Sequence, residues 1–177
     1  GEGFLSELCR RWESVAGPAA QAGLRTVQSR TGLVVSSSGG LGRILGAAYR
    51  VGAGARLGRG DQWQPWIALE DAAAGLLWAI EHDDVHGPVN LTAPEPLRNR
   101  DLHRLLSRAG GPPSVAVVPQ LLLDRAGRAG AAGGAGSIGG MLAELLGASQ
   151  RAVPQALLAS GFRFTAPDAA SIWALGT

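Results

Sequence analysis

The sequence predicts an α/β fold on a largely parallel sheet, and three observations carry that prediction. Stretches of helical length and apolar periodicity alternate with short β-prone runs along most of the chain. Gly, Pro, Asn and Asp punctuate the junctions between them. Apolar residues make up 46% of the 177, enough to build a core.

Residues 4–22 read as one helix, with Phe4, Leu5, Leu8, Cys9, Trp12, Val15 and Ala16 on its apolar face and Gly23 closing it. On that face Cys9, the lone cysteine, is expected to be a buried, inert thiol. Leu24 to Val35 is β-prone, with period-two stretches broken around Arg30–Gly32. Residues 41–53 favour helix, and GAGARLGRGDQ after them favours loop. Trp66–Leu69 reads as a strand, after which Asp71 is placed to cap an apolar helix running to Glu81. Pro88 leads into a strand, Val89–Thr92, and Asn99 is placed to cap a helix running to Ala109, where His103 is expected to be exposed. Val115–Pro119 is a further strand.

Past Pro119 the character changes. Gly127–Gly140 is low-complexity Gly/Ala sequence with nothing to bury and is expected to be a flexible insertion. Helices are expected near Met141–Leu146 and Pro154–Ala159, followed by Phe162–Phe164. The chain thus divides into residues 1–118, an α/β portion, and 119–177, a small helical appendage.

Composition excludes several function classes. All sixteen basic residues are arginine, so no lysine can act as base, Schiff-base former or phosphate clamp. The sequence pI is near 9.5, yet the net charge is only +2, and the arginines are scattered, which argues against nucleic-acid binding. No apolar run approaches the ~20 residues that span a bilayer. The N-terminus reads as a helix, not a signal peptide, and the missing initiator Met suggests that the natural start lies upstream. The expectation is a soluble protein, cytoplasmic or organellar (plastid or mitochondrial).

Two constellations resemble sites and have simpler readings. Gly39, Gly40, Gly42 and Gly46 follow a strand and open a helix, where a dinucleotide fingerprint would cradle a pyrophosphate. That motif needs a second buried strand ending in an acidic residue, and the segment before Asp61 is Gly-rich loop; the simpler reading is a loop and helix cap. His82, Asp83, Asp84 and His86 have zinc-ligand chemistry, but they sit where a helix turns into a strand and read as a solvated turn. No metal site is expected. Trp63 and Trp66 straddle Pro65; Trp66 is expected in the core, while Trp63 has either a packing role or a pocket-lining one.

In order along the chain, RTGLVV from Arg30, LGRGDQWQPWIALEDAAAG from Leu57 and HGPVNLTAPEPLRNRDL from His86 resemble the latter part of the epimerase-like branch of the extended (atypical) short-chain dehydrogenase/reductase family. The opening GEGFLSELCRRWE resembles the helix after that family's catalytic region, and GASQRAVPQALLASGFRFTAPD resembles the small C-terminal domain of unknown function of that branch. The resemblance covers nearly the whole chain except the Gly/Ala insertion. It implies the C-terminal part of a Rossmann-type doubly wound sheet that binds NAD(P) and a small-molecule substrate, with a homo-oligomer possible. It implies cofactor contacts from backbone groups of Thr31, Gly32 and Leu33, and a substrate cleft bordered by Trp63, Trp66 and Asn90. It also implies that the Gly-rich loop and the Tyr-x-x-x-Lys dyad precede Gly1. Tyr49, the single tyrosine, is followed at the fourth place by Ala53, so this chain holds no such dyad and no assigned catalytic residue. Alone it is expected to bind NAD(P) weakly and to be poorly stable. The family pattern has His where Ala68 stands and Asp where Glu70 stands, which favours an alternative: a non-catalytic scaffold or regulatory module of the same family.

Overall fold

The computed structural model describes residues 4–109, 111–122, 125 and 147–175. Its elements are α1 (Phe4–Val15), α2 (Gly17–Gln21), β1 (Val27–Thr31), β2 (Leu33–Val35), α3 (Gly40–Arg50), β3 (Ala55–Leu57), β4 (Trp63–Gln64), β5 (Trp66–Ala68), α4 (Leu69–Glu81), β6 (Gly87–Leu91), β7 (Leu97–Arg98), α5 (Asn99–Leu106), β8 (Ala116–Val118), α6 (Gln155–Ala159) and α7 (Ala169–Leu175). The fold is α/β. Three strand pairs are parallel, β1 with β6, β2 with β5 and β3 with β8, while β4 and β7 run antiparallel.

Strand chemistry explains the layering. Side chains alternate across a strand, so in β5 Trp66 and Ala68 enter one core and Ile67 enters another. A strand covered on both faces must be apolar at every position, which is why this run shows no alternation. The first core gathers Val35, Tyr49, Leu102, Leu106 and Trp173 around Trp66. The second gathers Ala72, Val89, Leu91, Leu157 and Phe162 around Ile67. The C-terminal segment serves both: α6 packs on β6 and places Leu157 in the second core, while α7 packs on β5 and places Trp173 in the first.

Several local expectations are corrected. The helix over 4–22 is two helices, because Pro18 sits in the first turn of α2 and has no N–H to continue α1. Its apolar face is open among the described residues: Trp12 is 72% and Val15 76% exposed, and Cys9 is exposed rather than buried. The segment read as loop after residue 52 contains β3, which is too short to show a period. Asp71 does not cap α4; Ala68 holds that position without a side-chain bond, and Asp71 lies within the first turn and is buried. Asn99 is the first residue of α5, not its cap. The α5 entry is closed instead by loop carbonyls, with Asn99 N–H donating to Gln62 at 3.0 Å and Arg100 N–H to Gly60 at 2.9 Å. That helix ends at Leu106, and α7 was not foreseen. The expected helix near Met141–Leu146 and the Gly127–Gly140 insertion lie outside the described residues.

The far end of α4 shows how an unassigned residue closes an element. The last carbonyls of a helix lack intrahelical donors. Arg25 supplies them, its guanidinium donating to Ala79 O at 2.7 Å and Ile80 O at 2.9 Å and reaching Val85 O at 3.2 Å. The outer face of α4 carries Leu76, Leu77 and Ile80, all exposed.

Candidate functional site

The predicted cofactor contacts lie where the long β-run breaks. Gly32 interrupts it because the chain there crosses Pro65: a Cβ on Gly32 would overlap the Pro65 carbonyl. The break lets β1 pair with β6 and β2 with β5. Gly32 N–H donates to Leu91 O at 3.0 Å and Leu33 N–H to Pro65 O at 2.6 Å, so both amides are engaged within the sheet. Thr31, at the end of β1, is exposed.

Leu33 and Trp66 are register partners, which brings Gly32, Leu33 and the Pro65–Trp66 step together. Trp66 is buried edge-on against Trp173, ring centroids 5.6 Å apart. Trp63 stands apart on the β4–β7 pair, with the guanidinium of Arg98 4.5 Å and that of Arg151 5.5 Å from its ring centre. Its backbone is clasped by the C-terminal segment: Trp63 N–H donates to Ser149 Oγ at 3.2 Å, and Gln150 N–H donates to Trp63 O at 3.0 Å. Asn90, opposite Arg30 in the β1–β6 register, donates through Nδ2 to Val153 O at 3.0 Å. The six predicted residues thus form two neighbourhoods, and the carbonyl of Val153 and the amide of Gln150 tie both to the C-terminal segment.

The two set-aside constellations have structural accounts. Gly40 has φ +68°, a left-handed conformation that suits glycine, and Gly42 packs so closely on Val35 and the Ser36 backbone that a Cβ would meet them at 2.9–3.1 Å. Gly42 thus lets α3 lie close against β2. His82 ends α4, stacked on Trp78 at 3.5 Å with its Nδ1 3.0 Å from Trp78 O, and Asp83 pairs with Arg25 at 3.3 Å. No group of three or more metal-ligating residues occurs among the described residues.

Sequence reasoning missed the polar contact between α3 and α5. Tyr49 Oη lies 2.9 Å from His103 Nδ1 and donates to Ala55 O at 3.3 Å, so His103 is half-buried, not exposed. Burial pushes the Tyr49 hydroxyl up to about 12. Burial, and then the Arg56 charge, hold the His103 imidazole below its ordinary value.

Residues 137–172 match the family described as a domain of unknown function (DUF1731). An epimerase family protein of Mycobacterium bovis is 40% identical over 164 residues, covering 93% of this chain and 51% of that protein. The chain is similar to epimerase family proteins. It spans about half the length of the curated relatives it matches. Among solved structures, the nucleoside-diphosphate sugar epimerase from Corynebacterium glutamicum superposes with TM-score 0.72 at 30% identity, covering 99% of this chain and 31% of that one. The human epimerase family protein solved with NADPH superposes with TM-score 0.67 at 26% identity, covering 85% of this chain and 47% of that one. Ser149 and Gln150, which clasp Trp63, and Leu157 of the second core lie within the DUF1731 match, which ends at residue 172, one position before Trp173.

Proposed function

We propose that this chain is the latter part of an NAD(P)-dependent epimerase or reductase acting on a small polar or sugar-like molecule. The observation that carries this reading is the alignment of 93% of the chain with an epimerase family protein, together with a fold shared with a sugar epimerase and an NADPH-bound relative. The nicotinamide, when bound, supplies hydride transfer. The residues present fit a supporting role. The amides of Gly32 and Leu33 are engaged, so the exposed Thr31 side chain at the end of β1 is the group that faces the cofactor. Trp66 and Asn90 hold the cleft wall in place, and Trp63 borders it between two guanidinium groups. No lysine is present to lower the pKa of a tyrosine, and Tyr49 has the opposite shift, so the proton-transferring pair is assigned outside this chain.

The test is a chimera in which the first half of the Mycobacterium bovis relative precedes this chain. Isothermal titration is expected to show NADPH binding to the chimera with Kd on the order of micromolar, and none below about 1 mM for residues 1–177 alone. A folded chimera that fails to bind, or tight binding by the chain alone, overturns the assignment. Buried Ala68, where the family pattern has His, favours a second reading, a non-catalytic module. That reading predicts a chimera that binds NADPH yet oxidises and reduces no sugar substrate.

A further inference from the structure

A cavity of about 320 Å³ opens away from the candidate cofactor and cleft residues, between β3, α5 and the turn before β8. Arg56, Arg100, Arg104 and Arg108 line it, with His103 and Ser114. On α5, Arg100 and Arg104 are four residues apart, so helical periodicity sets them on one face; Arg108 follows in the turn after the helix, and Arg56 comes from the facing strand. Local carboxylates do not neutralise this set. Asp61 pairs with Arg100 but is shared with Arg59 at 3.3 Å and Arg98 at 3.7 Å, and Asp101 pairs with Arg104 at 3.1 Å. Arg56 and Arg108 have no ion pair among the described residues.

Two polar atoms in this lining lack partners. Ser114 is 4% exposed and its Oγ makes no hydrogen bond; the buried Nε of Arg56 makes none either. Leaving a buried donor unpaired is costly, and native structures reserve such groups for a water, an ion or a ligand. Both groups donate, and the walls around them are cationic. Guanidinium forks match the oxygens of phosphate.

We propose that this cavity is an anion site that takes a phosphoryl group, either free phosphate or the phosphate of a small ester. Arg56 Nε and Ser114 Oγ donate from the floor, and Arg108 closes the mouth. His103, held by Tyr49, fixes the wall beneath α5. The volume matches a small metabolite. A concave site of this size, as opposed to an extended basic stripe, favours a small molecule over a nucleic acid.

The experiment is titration calorimetry of the full chain with three probes: inorganic phosphate, glucose 1-phosphate and a twelve-nucleotide single strand. Saturable binding of a phosphate probe is expected, with sulfate competing and chloride not. Phosphate and glucose 1-phosphate binding alike assigns the phosphoryl group alone; tighter binding of the ester assigns a sugar phosphate. Arg108→Glu, in the exposed turn after α5, is expected to weaken binding at least tenfold with an unchanged circular dichroism spectrum, and Ser114→Ala several-fold. Binding unaltered by Arg108→Glu, no saturation by any probe, or tighter binding of the oligonucleotide would each overturn the proposal. In the NADPH-binding chimera, Arg108→Glu is expected to leave the NADPH isotherm unchanged, so the fates of the two readings are separable.

Discussion

The buried carboxylate of Asp71 accepts the backbone N–H of Ala166, 95 residues further along the chain, at 2.8 Å, and its other oxygen accepts that of Thr165 at the same distance. A residue in the first turn of α4 therefore fixes the approach to α7. Asp71→Ala leaves both amides without this acceptor, in a place where one of them is buried. Given the usual cost of orphaned buried donors, a loss of about 3 kcal/mol in urea unfolding is expected, with Asp71→Asn losing about half of that. A loss below about 1 kcal/mol for the alanine variant would show that the segment is held by packing alone.

Gly42→Ala separates packing from nucleotide binding. In a helix interior alanine is favoured over glycine by about 1 kcal/mol. Here its Cβ meets Val35 and the Ser36 backbone, and backbone atoms yield little. Net destabilisation of about 1–3 kcal/mol is expected in a thermal melt. NADPH binding by the chimera should persist wherever the variant remains folded. A fully stable variant that has lost NADPH would restore the fingerprint reading of Gly39–Gly46.

Stability should fall at both pH extremes through one contact. His103 titrates below its ordinary 6.5 in the folded chain because burial and Arg56 disfavour its charged form. As pH drops through 6.5 the unfolded chain takes up a proton that the folded chain refuses. The contribution is therefore complete above 6.5 and is lost below it. Tyr49 keeps its proton to about 12 instead of the ordinary 10.0, so its contribution is complete below 10 and lost between 10 and about 12. Melting temperatures of His103→Gln measured from pH 8 to 5 should show a shallower acid decline than the parent chain. Parallel curves would refute the assignment.

Arg25→Ala removes the donors at the end of α4. Partial exposure tempers the effect, and a loss of about 1–2 kcal/mol is expected by chemical denaturation. Asp83→Ala should cost less than about 0.5 kcal/mol, because its carboxylate is almost wholly solvated. Equal losses would mean that the ion pair, not the carbonyl contacts, anchors Arg25.

Elements whose cause is local were legible in the sequence. The break at Gly32, the apolar β5 and the helices α3, α4 and α5 were announced by periodicity and turn residues close at hand. The misreadings share a different origin. Asp71 and Asn99 look like caps because both residue types cap helices, yet each side chain serves a distant backbone: Thr165 and Ala166 for Asp71, and Leu57 N–H, at 2.9 Å, for Asn99. Cys9 and His103 were misjudged for a related reason: burial depends on what covers a face, and periodicity reports only the face. The arginine cavity was hidden because its members lie far apart in sequence and converge only when β3 meets α5. The spacing of Arg100, Arg104 and Arg108, four apart along α5 and the turn after it, was the one available signal.

Trp173 reaches Trp66 from the far end of the chain, and Leu157 reaches the opposite layer. During synthesis both layers must wait, half-filled, until these late residues clear the ribosome. Closure is consequently a long-range, late event, of the kind that folds slowly and leaves nascent apolar surface in need of chaperones.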